Sequence, residues 1–217
     1  MPSCSATTPY PSHAASGRLP TMSTPTPPNA RTNGHHHLAW SEVARTTEYD
    51  ARIFQLHKVT RTAADGRTGD FVLVDSPDWV NVIAVVHDDE GRPCFIMVRQ
   101  YRHGSETTSL EFPGGMVNPG EDPMVAAARE FSEESGYSVE SLTCIGRTNP
   151  NPAFMTNTVT TFLASGVHRH GNQQLDSDEI VDLVLVPVED VAAGVVEEFN
   201  EHAIMLAAYH WYRRAVE

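Results

Sequence analysis

Residues 115–137 read GMVNPGEDPMVAAAREFSEESGY, and this stretch decides the fold of the 217-residue chain. Asp122 is a good N-cap, and Pro123 suits the first helical position, where its missing N–H is no loss. Met124, Ala127, Ala128 and Phe131 recur at helical spacing and predict a buried face. Gly136 predicts the stop. Near that end stand Glu130, Glu133 and Glu134. Glu130 and Glu134 are four apart and share a face, where like charges repel by roughly 0.2–0.5 kcal/mol per pair. The negative end of the helix dipole lies close by and adds to the penalty. Stability alone does not select such a cluster. A divalent cation removes the objection, because carboxylate oxygens on one helical face suit a hard ion such as magnesium. A local rule broken in this way is where a functional site is expected.

Two neighbours extend the pattern. Arg129 lies one turn before Glu133 and can pair with that carboxylate. Gly114, Gly115 and Gly120 predict a flexible approach loop whose backbone passes close to a ligand.

The stretch resembles the signature of the Nudix hydrolases, G-x5-E-x7-R-E-U-x-E-E-x-G-U, where U is a bulky apolar residue. Gly115, Glu121, Arg129, Glu130, Phe131, Glu133, Glu134 and Gly136 match it, and Tyr137 stands where an aliphatic residue is more usual. Outside the motif, Gln100-Tyr101-Arg102 followed by Leu110-Glu111-Phe112-Pro113-Gly114-Gly115 resembles the ADP-ribose pyrophosphatase branch. Pro152, in the loop Asn149 to Phe154, fits a further marker of that branch. The similarity covers Tyr49 to Arg214.

The resemblance implies an α/β (α+β) fold. It is an α/β/α sandwich with a mixed sheet, preceded by a small N-terminal antiparallel sheet that helps build a homodimer. It implies hydrolysis of the diphosphate bond in a nucleoside diphosphate joined to another group X, with ADP-ribose or a nucleotide sugar as substrate. The implied cofactor is Mg2+, with Mn2+ as the alternative. Glu130 and Glu134 are the implied metal ligands, assisted by Glu133 and the Gly114 carbonyl. Arg129 fixes Glu133, Gly115 supports the site, and Glu121 either braces the loop or joins the metal shell. In this branch the general base comes from a later loop, here Leu175 to Ile180. Asp176 falls on the expected glutamate but is one methylene shorter, so Glu179 and Glu133 stay in play as the catalytic base.

Three residues are expected at the substrate. Arg102 ends a buried strand, where its fork suits phosphate oxygens, the alternative being a surface ion pair. Glu111 precedes the glycine loop and belongs near metal or substrate. Phe154 either stacks on a flat base or packs under its loop.

The chain is 40% hydrophobic and 20% charged, enough for one sizeable core. A net charge of -13 argues against a nucleic-acid backbone as partner. An anionic small molecule stays possible, since bound metal reverses the local sign. Cys4, Cys94 and Cys144 make no disulfide framework; Cys94 and Cys144 sit in apolar runs and are expected in the core, which favours a reducing cytoplasm. No apolar run is long enough to span a membrane. Residues 1–41 hold no Asp or Glu and are rich in Pro, Ser and Thr, the composition of a disordered tail, and Met22 is an alternative start. His35, His36 and His37 read as a solvated run.

Residues 42–78 are expected to hold the N-terminal strands of the dimerisation extension, and residues 79–217 the hydrolase domain. Strands are predicted at Tyr49 to Val59, Asp70 to Val74, Val80 to Val86, Cys94 to Tyr101, Leu110 to Phe112, Leu142 to Ile145, Thr156 to Ala164 and Ile180 to Pro187. One closing helix is predicted from Pro187 through Val191, and another from Glu201 to Arg214 with Asn200 as its cap. Competing functions are another Nudix substrate, such as a dinucleoside polyphosphate or modified nucleoside triphosphate, and a non-catalytic nucleotide sensor. The sensor predicts decay of the glutamates, all of which are present.

Overall fold

A computed structural model describes residues 34–177 and 179–217. The expectations of a disordered tail over residues 1–41 and of an alternative start at Met22, and Cys4, fall mostly or wholly outside the described residues. His36–Leu38 form a 3-10 turn just before the first strand.

Eleven strands and four helices follow: β1 (Trp40–Ala51), β2 (Phe54–Ala63), β3 (Thr68–Asp75), β4 (Trp79–Ile83), β5 (Val85–His87), β6 (Pro93–Arg102), β7 (Thr107–Glu111), β8 (Gly114–Met116), α1 (Pro123–Ser135), β9 (Tyr137–Thr148), β10 (Val159–Arg169), β11 (Val181–Pro187), α2 (Val188–Ala193), α3 (Glu197–Asn200) and α4 (Ala203–Val216). The first three strands form a sheet in chain order. A second sheet runs β8-β4-β10-β9, with β10 parallel to β4 and the other pairings antiparallel. The third is antiparallel and centred on β6, with β11 on one side and β5 and β7 on the other. No helix among the described residues is long and apolar enough to cross a membrane.

The chain packs as two compact units. One comprises the described part of Met1–Thr46 together with Val59–Phe71; the other comprises Thr47–Lys58 and Val72–Glu217. In the first, Trp40 meets Phe71 edge to face at 5.2 Å, and Glu42 sits between Arg45 and Arg61.

The larger unit is a three-layer sandwich because its strands are apolar on both faces. On β4 and β6, Val80, Val82 and Ile96 join Ala126, Ala127 and Phe131 of α1 in one core. Ile83, Phe95 and Met97 point the other way, into a second core with Phe199, Met205 and Ala208. Each fully buried large side chain here contributes roughly 1.5–3 kcal/mol. Phe95 packs edge to face on Phe112 and Tyr212. On β9, Gly146 leaves room for the Trp211 ring, whose Nε1 donates to Thr148 Oγ1 at 3.0 Å.

Several local expectations need correction. Tyr49 to Val59 is not one strand. It breaks at Arg52-Ile53 into the end of β1 and the start of β2. No Gly, Pro or Asn marks that turn; Gln55 Nε2 bonding to Asp50 across it supplies the support. Asn200 does not cap α4. It ends the short α3 and bonds the Gly194 carbonyl, while α4 begins at Ala203. Cys94 is buried, but Cys144 is exposed. The glycine loop is partly strand, since Gly114 and Gly115 pair with Asn81 and Val80. The inner face of α1 is also rotated: Met124 is exposed and Ala128 half-buried, whereas Ala126, Ala127, Phe131, Glu134 and Ser135 are buried.

Candidate active site

The helix carrying the glutamates is capped at both ends. Asp122 Oδ1 accepts from the Met124 N–H at 2.8 Å, which satisfies one orphan donor of the first turn. Gly136 closes the helix at φ 71°, a left-handed conformation that favours glycine. That glycine is also needed for space, because a Cβ there would lie 2.6 Å from the Gly171 carbonyl oxygen.

Glu134 points inward. It is 5% exposed, and its Oε2 accepts the Gly114 N–H at 2.8 Å. This bond accounts for the rotated face: α1 turns a carboxylate, not Met124, toward the sheet. Gly115 brings Glu130 close. A Cβ on Gly115 would stand 2.7 Å from the Glu130 Cδ, so only glycine lets that carboxylate lie against the β8 backbone. A Cβ on Gly114 would run into the main chain of Val80 and Asn81.

Arg129 organises the front of the site. Its Nε and Nη2 hold both oxygens of Glu121 at 3.0 Å. Nη1 reaches Glu130 at 2.8 Å and Glu133 at 3.1 Å, and Nη2 also donates to the Met116 carbonyl at 3.2 Å. Glu121 further accepts from the Asn118 N–H. The pairing of Arg129 with Glu133 was legible from their spacing; the stronger, two-pronged grip on Glu121 was not. Glu121 thus ties the Asn118 main chain to Arg129.

Glu111 is 3% exposed and takes a two-pronged bond from Arg102, at 2.6 and 2.5 Å. His202 Nε2 lies 3.6 Å from the same carboxylate. The β6–β7 register sets this up by placing Arg102 and Glu111 on one face of the hairpin. Phe154 is 44% exposed, and its carbonyl accepts from the Val74 N–H.

In the later loop, the Asp176 N–H donates to Glu179 Oε2 at 3.1 Å, and the Glu179 N–H returns to the Asp176 carbonyl. Both residues are exposed. Glu179 adds to the negative charge that raises Glu130 and Glu134.

The electrostatics follow from burial. The Glu134 carboxyl is pushed up to about 8, mainly by burial, with the charges of Glu130, Glu179 and Glu111 adding and the Gly114 N–H opposing. Burial also raises Glu130, against the pull of Arg129. Glu121 moves the other way, held down to about 2 by Arg129 and the Asn118 N–H.

Among the described residues, no three His, Cys, Asp or Glu side chains converge on a single point. Glu130 and Glu133 are turned onto Arg129 instead. The donor chemistry nonetheless fits a divalent cation. The buried carboxylate of Glu134 lies beside the half-buried Glu130, whose charge raises its proton affinity, and these hard oxygen donors lie beside a glycine backbone. A cleft of about 780 Å³ lies beyond the C-terminal end of α1, lined by Arg99, Arg169, Gln173, Asp182 and others; none of the clustered carboxylates lines it.

The family model described as NUDIX domain matches residues 77–210. A Bacillus subtilis protein named ADP-ribose pyrophosphatase is 33% identical over 149 residues, 68% of this chain and 78% of that protein. A Bacillus methanolicus protein named methanol dehydrogenase activator is 30% identical over 172 residues, 78% of this chain and 91% of that protein. A crystal structure of an ADP compounds hydrolase superposes with a TM-score of 0.67 at 22% identity, covering 90% of this chain and 96% of that one, which shows the shared fold.

Proposed function

The chain belongs to the Nudix family, and from that premise we propose that it hydrolyses the diphosphate bond of a nucleoside diphosphate linked to a second group, with ADP-ribose as the leading substrate. The observation that carries this is the set of carboxylates at the end of α1. Half-buried Glu130 stands beside buried Glu134 and its charge raises that carboxyl, a repulsion that a bound cation or a proton relieves. A relative with the printed name ADP-ribose pyrophosphatase supports the substrate class.

Glu130 and Glu134 would hold a divalent cation, magnesium in the first instance, with Glu133 and the Gly114 carbonyl beside them. Such an ion, when bound, neutralises the diphosphate charge and acidifies the attacking water. The protein's own groups do the rest. Arg129 and Glu121 fix the front of the helix and keep Glu130 and Glu133 in place. Arg102, anchored to Glu111 through Nε and Nη2, offers its Nη1 N–H groups to a phosphate oxygen. Phe154 presents an exposed ring on which a base can stack. Glu179 takes the general-base role ahead of Asp176 and Glu133: Asp176 holds the Glu179 carboxylate through its main-chain N–H, and Glu133 is engaged by Arg129.

A homodimer formed through the N-terminal strands belongs to the same proposal; Val43 and Phe71 expose apolar surface there. The free thiols of Cys94 and Cys144 suit a cytoplasmic location. The test is product analysis. ADP-ribose with magnesium is expected to give AMP and ribose 5-phosphate, and neither in chelator. Intact ADP-ribose after prolonged incubation with metal would overturn the substrate assignment.

A further inference from the structure

We propose that Gln173 is a positioning residue: its side-chain amide ties the C-terminal end of α1 to the first residue of β11 and so sets where Glu179 stands relative to Glu134. The proposal rests on Glu179 acting as the general base.

A helix end leaves its last carbonyls without partners inside the helix, and something else must satisfy them. Here the donors arrive from one distant segment. The Gln174 N–H bonds the Glu133 carbonyl at 2.7 Å, and the N–H groups of His170 and Gly171 both bond the Gly136 carbonyl. His170 Nε2 also meets Ser132 Oγ at 2.8 Å. Gly136 permits this approach, since any side chain there would strike Gly171. The segment that closes the helix thus leads directly into the loop carrying Glu179.

Gln173 does more than close the helix. Its Nε2 carries two hydrogens. One goes to the Glu134 carbonyl at 2.7 Å, and the other to the Val181 carbonyl at 3.1 Å. Val181 opens β11, two residues after Glu179, and is pinned by its pairing with Gln100. One planar amide therefore spans from the residue that would bind metal to the strand that receives the base. No other residue type of that length offers two donors from one neutral atom. Glu179 is exposed and held by the Asp176 N–H, so its position follows from this bracket and from Asp176.

The experiment is a double-mutant cycle on ADP-ribose hydrolysis with magnesium. It compares wild type, Gln173→Met, Glu179→Gln and the double variant, with thermal melts on each. Gln173→Met keeps the length and removes both donors. It is expected to lower kcat roughly 10–100-fold while KM stays within about threefold, as for other residues that orient a catalytic group. In the Glu179→Gln background the same substitution is expected to cost nothing further, because the group it positions is already disabled. Gln173→Asn keeps the donors on a shorter stem and carries the same cycle should Gln173→Met fail to fold; its kcat is expected between the two. An equal fold-loss in both backgrounds would overturn the positioning role and leave Gln173 a helix cap. So would wild-type kcat in a folded Gln173→Met protein. Near-normal turnover of Glu179→Gln would overturn the base assignment itself, and the role of Gln173 with it.

Discussion

Replacing Glu134 with Gln is expected to stabilise the metal-free protein, and to do so more as pH rises. The carboxyl is buried and pushed up to about 8, whereas in the unfolded chain it titrates near the ordinary 4.5. A group whose folded value is raised favours folding fully below the unfolded value. That contribution drains away as pH climbs from 4.5 through about 8. At 1.36 kcal/mol per pH unit, the gap amounts to roughly 5 kcal/mol. Glutamine removes the titration and still offers an oxygen to the Gly114 N–H. It also brings an amide donor into a buried place, at a cost of about 1–3 kcal/mol. The balance is a gain of about 2–4 kcal/mol on the alkaline side, or roughly 4–16 °C in Tm for a chain of this size. Near pH 5 the gain vanishes or reverses. Thermal melts of both proteins in chelator, across the pH range, read this directly. A variant that melts below wild type at alkaline pH, or a difference that does not grow with pH, would refute the reasoning. The same variant is expected to lose turnover by orders of magnitude while staying folded.

Gly115→Ala places a methyl against the Glu130 carboxylate, the flexible end of a side chain, so it is expected to displace that carboxylate with little change in melting temperature and at least roughly tenfold loss in kcat, checked by melts and steady-state kinetics. Arg102→Ala leaves the buried Glu111 without its two-pronged partner; a loss of about 3 kcal/mol in denaturant unfolding is expected, and adding Glu111→Gln should recover part of it. Arg129→Lys cannot span Glu121, Glu130 and Glu133 with one ammonium, and melts should show a loss of about 1–3 kcal/mol. Because Glu121 is held down to about 2, its contribution is present above 4.5 and lost as pH falls toward 2, so acid-side melts should show a shallower pH dependence in Arg129→Lys than in wild type.

The helix α1 was legible in the sequence because its signals are local: an Asp-Pro start, a Gly stop and a 3.6-residue period between them. Which face would be buried was not. Counting apolar residues assigns Met124 to the inside, yet the Gly114 N–H draws Glu134 inward, and that donor comes from another strand. The sandwich followed from the apolar runs of β4 and β6. The break between β1 and β2 did not, because its turn lacks the usual residues and depends on a side-chain bond between Asp50 and Gln55. Arg102 and Glu111 were each singled out, but their pairing needs the register of β6 on β7, which neither residue reveals alone. Gln173 carried no signal at all. It matters only because the chain folds back so that one amide meets two carbonyls from distant elements.

Uptake of Mn2+ by the purified protein, followed by calorimetry and by the loss of its free-ion spin-resonance signal, probes the carboxylate cluster most directly. Wild type is expected to take up the ion, and Glu130→Gln and Glu134→Gln to bind it at least roughly tenfold more weakly. Equal affinity in all three folded proteins, or no uptake by wild type, would contradict a cation-holding role for these side chains.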